Sequence, residues 1–155
     1  MKIKMLAMDV DGTLTDGHIY VGANGERMKA FDVKDGYAIA HMLPKLGITP
    51  EIITGRTSAI VEYRAGELGI QELYQGVMDK LTKLKEVAAA HGLSAEEVAY
   101  AGDDLNDLDC ICWCGFTACP RDAVDEVKEA VSYVCERNGG FGAVREMIER
   151  IKKLD

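Results

Sequence analysis

The sequence predicts a doubly wound, Rossmann-like parallel α/β fold, and three observations carry that prediction. Short apolar runs alternate with segments of helical periodicity along the chain. The first run, from Ile3 into MLAMD, is apolar on both faces, as a strand buried inside a parallel sheet requires. Residues capable of chemistry recur just past the C-terminal ends of these runs, the edge where open α/β sheets bind ligands.

The stretch Met5 to Thr15, MLAMDVDGTLT, organises the rest. Asp9 and Asp11 leave the first strand on the same side, because strand side chains repeat every two residues. Gly12 then lets the chain turn away. Ionised carboxylates this close repel one another, so the site needs a cation, a shared proton, or both. A hard divalent ion such as Mg²⁺ meets that requirement. Taken alone, D-x-D-G-T also reads as an ordinary turn.

Next, His18 to Val21 and Arg27 to Phe31 flank Gly22 to Gly25, and the Asn24-Gly25 pair predicts a β-hairpin flap beside the acids. A helix is expected from Tyr37 to about Leu46, with Ile39, Met42, Leu43 and Leu46 on its apolar face and Pro44 ending or distorting it. Thr49 to Thr54, TPEIIT, supplies the next sheet strand. Gly55, Arg56 and Thr57 turn into a helix from Ser58 to Leu68, so Thr54 also sits at a strand end.

A strand over Glu72 to Tyr74 precedes a helix from Asp79 to His91, with Lys80 in its first turn and Gly92 closing it. Ser94 and Glu97 make a capping box. The strand Val98 to Ala101 ends in GDDLND, which adds Asp103, Asp104 and Asp107 to the same edge. The remainder alternates again: strand Gly115 to Ala118, helix Arg121 to Ala130, strand Ser132 to Val134, and a helix from about Ala143 to Lys153. With no repeat and no low-complexity linker, residues 1–155 read as one domain.

Composition narrows the function. A net charge of −8 argues against a nucleic-acid or anionic-membrane surface, so any anionic substrate must be drawn in by local cations. Neither a membrane-length apolar run nor a signal-peptide pattern is read, which makes a cytoplasmic enzyme the expectation. Cys110, Cys112, Cys114, Cys119 and Cys135 are expected to be reduced and to pack as small apolar side chains. Their C-x-C-x-C spacing departs from the C-x₂₋₄-C pairs of structural zinc sites.

Each strand-end residue alone has a plain reading: Thr54 as a helix cap, Lys80 as a solvated helix residue, the GDDLND acids as partners of a helix dipole. Together, in this order, D-x-D-G-T, Thr54, Lys80 and GDDLND resemble the four motifs of haloacid dehalogenase-like hydrolases. FDVKDGYAI, ITGRTSAIVEYRAGELGI, YQGVMDKL, GDDLND and RNGGFGAVRE further resemble the 3-deoxy-D-manno-octulosonate 8-phosphate phosphatase subgroup, which lacks a separate cap domain. The intervals between motifs leave no room for a cap.

The resemblance implies roles. Asp9 would be the nucleophile that forms an aspartyl-phosphate, and Asp11 the acid/base. Mg²⁺ would be held by Asp9, the Asp11 carbonyl and Asp103, with Asp104 and Asp107 supporting them from behind. Thr54, Gly55 and Lys80 would hold the phosphoryl oxygens. Arg56 and Arg64 are the candidates for gripping the carboxylate of a sugar acid, Arg64 lying about two helical turns beyond Arg56. A homotetramer in which a neighbour closes the site is also implied, as is a mobile segment, Arg137 to Gly142, folding over substrate; an ordinary loop before the last helix is its plain reading. Two further readings stand beside this one: a phosphatase for a nine-carbon sugar acid 9-phosphate (2-keto-3-deoxynononate or N-acylneuraminate), and a catalytically idle oligomeric binding module partnered with a sugar-nucleotide enzyme.

Overall fold

The computed structural model describes residues 2–154. Strand β1 (Met5–Met8) is followed by an antiparallel hairpin, β2 (Tyr20–Gly22) and β3 (Gly25–Met28). Five more strands follow: β4 (Thr49–Ile53), β5 (Glu72–Tyr74), β6 (Val98–Ala101), β7 (Phe116–Cys119) and β8 (Tyr133–Val134). With β1 they form a six-stranded sheet in the order β5-β4-β1-β6-β7-β8, every neighbouring pair parallel.

Helices cover both faces. On one side lie α1 (Val33–Tyr37), α2 (Leu43–Leu46), α3 (Ala59–Glu67) and α7 (Ala143–Lys152); on the other, α4 (Lys80–Ala90), α5 (Leu108–Trp113) and α6 (Asp125–Ala130). Strand alternation divides the core accordingly. Leu6 and Met8 pack with Leu43, Val61 and Ile148, whereas Met5 and Ala7 pack with Leu84, Val87 and Val127. Glu51 is also enclosed there, fully buried on β4 with neither carboxylate oxygen partnered. No helix among the described residues is long and apolar enough to cross a membrane.

Several local expectations need correction. The first helix does not begin at Tyr37: Asp32 caps it through Lys34 and Asp35 N–H, so it starts at Val33. Pro44 does not end it either. A π turn over Ala38–Met42 shifts the ladder, with Leu43 N–H donating to Ala38 C=O, and the helix runs on to Leu46 past the missing proline N–H. Helix α6 starts at Asp125, later than Arg121, and α5 was not foreseen, because its LDCICW sequence is short and poor in strong helix formers. All five cysteines are free; Cys110, Cys119 and Cys135 are buried, but Cys112 is exposed on α5 and Cys114 is half-buried.

Candidate active site

A tight loop follows β1, where the chain turns away from the sheet. Thr13, Leu14 and Thr15 N–H all donate to the Val10 carbonyl, and Thr15 Oγ1 accepts from Gly12 and Gly17 N–H. Gly12 has φ +87°, and a Cβ there would lie 1.9 Å from Asp103 Oδ2, so only glycine lets the two loops approach. Gly139 and Gly140 press on the loop from behind; a Cβ on Gly139 would sit 2.0 Å from the Gly12 carbonyl oxygen. Gly140 N–H donates to Thr13 C=O, and Gly139 N–H to Asp122 Oδ1. The Arg137 to Gly142 segment is therefore docked on the loop after β1. In this structure it does not fold over the cleft, because its glycines are held between that loop and the body of the protein.

Strand order reverses at β1, with β4 on one side and β6 on the other, and the cleft opens at that switch point. It has a volume of about 170 Å³ and is lined by Asp9, Asp11, Thr54, Gly55, Arg56, Asp103 and Asp104, together with Asn106, which the sequence did not single out. Asp9 Oδ1 accepts from Lys80 Nζ at 3.0 Å, and Lys80, whose side chain is 2% exposed, also donates to Asp107 Oδ1 at 2.9 Å. Asp79 caps α4 through Thr82 N–H, which fixes the helix start that carries Lys80.

Asp107 is enclosed and fully engaged. Its Oδ1 accepts from Lys80 and from Tyr100 Oη, and its Oδ2 accepts from the backbone N–H groups of Asp103 and Asp104. It shapes the loop after β6 and orients Lys80. Asp104 caps the 3₁₀ turn over Leu105–Asp107 through Leu105 N–H. Asp11 points to the opposite side of the cleft, where Oδ1 lies 2.6 Å from Lys29 Nζ and Oδ2 lies 3.8 Å from Arg56 Nε.

Arg64 is not brought to this cleft in its own chain. The 3.6-residue repeat of α3 turns it toward the flap base, where it stacks 5.5 Å from the Phe31 ring centroid, pairs with Glu67 at 3.6 Å and leaves Nε buried without a partner.

Asp9, Asp103 and Asp107 each offer a carboxylate oxygen within 4.8 Å of the others. Burial is the main influence raising the pKa values of Asp9 and Asp103; the charge of Asp107 adds to it for Asp9, and that of Asp9 for Asp103. Buried carboxyls whose ionisation is held back by enclosure and by neighbouring acids form an oxygen-rich site with an unmet need for positive charge, which fits Mg²⁺. Since all Asp107 oxygen positions already accept hydrogen bonds, Asp9 and Asp103 are the side chains free to hold the ion.

A profile of the haloacid dehalogenase-like hydrolases matches residues 48–148. The chain belongs to that family. It is 43% identical over 149 residues to 3-deoxy-D-manno-octulosonate 8-phosphate phosphatase KdsC of Yersinia pestis, covering 96% of this chain and 79% of that protein. Among solved structures, that of the Moraxella catarrhalis 3-deoxy-D-manno-octulosonate 8-phosphate phosphatase, in complex with a magnesium ion, a phosphate ion and KDO, superposes with a TM-score of 0.93 at 43% identity, covering 97% of this chain and 86% of that one. The cobalt-bound Haemophilus influenzae phosphatase superposes equally well, at a TM-score of 0.93 with 39% identity over 98% of this chain and 88% of that one. As a member of this family, the chain has its acid cluster where a hydrolase site is required, at the switch point of the sheet.

Proposed function

We propose that this chain is a Mg²⁺-dependent phosphatase acting on 3-deoxy-D-manno-octulosonate 8-phosphate through an aspartyl-phosphate on Asp9. The observation that carries the reading is the contact of Lys80 with Asp9 beside Asp103 in a cleft that also presents Thr54 and Gly55. The extent and identity of the match to phosphatases of that substrate support the choice of sugar.

In the first half-reaction an Asp9 carboxylate oxygen attacks phosphorus while the sugar oxygen departs and takes a proton from Asp11. In the second, Asp11 takes a proton from the attacking water and Asp9 is released. Lys80, fixed by Asp107, offers a positive charge beside the nucleophile, and the Thr54 hydroxyl and Gly55 N–H are at hand for phosphoryl oxygens. Mg²⁺ held by Asp9, Asp103 and the Asp11 carbonyl would neutralise charge on nucleophile and phosphate. Arg56, half-exposed at the cleft, is the candidate for the sugar-acid carboxylate.

A homotetramer is part of the proposal. Ile19, Val21 and Met28 on the flap are 40%, 72% and 55% exposed, an apolar surface suited to packing between subunits. The five free thiols support a reducing, cytoplasmic setting.

A panel comparing kcat/KM with Mg²⁺ for 3-deoxy-D-manno-octulosonate 8-phosphate, nine-carbon sugar acid 9-phosphates and a simple aryl phosphate tests the reading. Preference for the eight-carbon acid is the expected result. Preference for a nine-carbon acid would move the assignment, and absence of phosphate release from every compound would overturn it.

A further inference from the structure

The flap reaches the active site through one buried ammonium. Lys29 follows β3 directly, and its side chain is 2% exposed although neighbouring Met28 is 55% exposed. Its Nζ lies 2.6 Å from Asp11 Oδ1 and 2.9 Å from Glu26 Oε2. Glu26 is anchored in turn, since Ser58 Oγ donates to Oε1 at 2.6 Å and Arg56 Nη2 lies 3.4 Å from Oε2. Ser58 is the N-cap of α3, so the hairpin is tied to a rigid element of the main sheet layer.

A two-stranded hairpin has no need of a buried cation for its own stability, and withdrawing an ammonium from water is costly unless good partners receive it. Both partners here are carboxylates, and one of them, Asp11, lines the cleft. Arg56 approaches the other Asp11 oxygen at 3.8 Å. The carboxylate is thus held from two sides by cations on two separate elements.

We infer that Lys29 is a positioning residue for proton transfer by Asp11, and that the flap sets the geometry of that step through the Ser58–Glu26–Lys29 relay. The inference rests on the reading of Asp11 as acid/base. When the sugar oxygen leaves, the P–O bond breaks with its electron pair on that oxygen, the Asp11 proton passes to it, and Asp11 becomes a carboxylate facing Lys29. In the return step the carboxylate takes a proton from water as the water oxygen bonds to phosphorus and the Asp9–phosphorus bond breaks. Lys29 exchanges no proton in either half; it holds the group that does.

A positioning role of this kind depends on the leaving group. A sugar alkoxide needs the proton, whereas p-nitrophenolate departs without one. With Mg²⁺ present, Lys29→Met should lower kcat/KM for 3-deoxy-D-manno-octulosonate 8-phosphate by about 100-fold, while kcat/KM for p-nitrophenyl phosphate stays close to wild type. The same variant should release a burst of p-nitrophenolate before a slow steady state, because hydrolysis of the phosphoenzyme still needs Asp11 as base. Lys29→Arg should restore part of the loss. Glu26→Gln, which leaves the ammonium in place but loosens its seat, should give the same pattern at smaller amplitude, and carries the test if Lys29→Met does not fold. Equal losses on both substrates, or none on either, would overturn the inference. Failure of the wild-type protein to hydrolyse either substrate would instead overturn the phosphatase reading, and this inference with it.

Discussion

Tyr100 Oη donates to Asp107 Oδ1 across 2.6 Å, and the same oxygen accepts from Lys80 Nζ at 2.9 Å. The hydroxyl is fully enclosed between β6 and the α4–α5 layer, so the ammonium that touches Asp9 is steered by a phenol outside the cleft. Tyr100→Phe keeps the packing and removes the donor. It should cost about 1–3 kcal/mol of stability, as loss of a buried hydrogen bond to a charged group does, and lower kcat with little change in KM. Urea titration together with steady-state kinetics checks both.

On the proposed covalent route, Asp9→Asn retains shape and loses the nucleophile. Phosphate release should fall by about 10⁴-fold or more, with the circular dichroism spectrum unchanged. Chelation of Mg²⁺ should silence the wild-type enzyme reversibly. Near-normal turnover by the asparagine variant would contradict a covalent route.

Gly139→Ala places a methyl against the Gly12 carbonyl, where a Cβ would stand at 2.0 Å from backbone that cannot swing aside. Overpacking against backbone should cost about 1–3 kcal/mol. Because the displaced atom belongs to the turn after Asp11, kcat should fall as well. A thermal melt and a kcat measurement on one preparation test the pair of effects; a destabilised variant with full kcat would show that the catalytic loop tolerates the shift.

Glu51 gives a pH dependence. Burial, with the Glu72 charge adding to it, raises its pKa from 4.5 to about 8. Between those values the unfolded chain releases the proton and the folded chain keeps it, so stability falls as pH rises through this window and levels off above about 8. Glu51→Gln removes this contribution. The variant should gain on the wild type as pH rises, and urea midpoints at pH 5 and pH 8.5 should diverge. Parallel midpoints at both pH values would show that Glu51 is solvated or paired in solution.

Much of the fold was legible because its signals are local. The two-sided apolar run of β1, the Asn24-Gly25 turn, the helix starts at Ser58 and Asp79 and the GDDLND turn each declare themselves within a few residues. Asp9, Asp11, Thr54 and Asp103 gather in one cleft because all follow strands of one parallel sheet, and that too follows from sequence order. Lys29 was not legible. Its partner Asp11 lies 18 residues earlier, in the loop after β1, and nothing in GERMKAF distinguishes a buried lysine from the exposed Arg27 beside it. Tyr100 looked like one more strand aromatic until the fold placed its hydroxyl on Asp107. Arg64 and Arg56 are close in sequence, yet Arg64 on α3 stacks on Phe31 while Arg56, ahead of that helix, reaches Glu26, a difference that only the folded chain displays.

The seating of Gly139 and Gly140 against the turn after Asp11 bears on how the protein comes into being. Asp9 leaves the ribosome well before the surface that backs its loop, which emerges only after all six strands of the main sheet have been synthesised. During translation the N-terminal strand therefore has its acids but not their mould. A competent metal pocket is a late product of synthesis, and a nascent chain stalled before Gly139 would carry the motif without the enzyme.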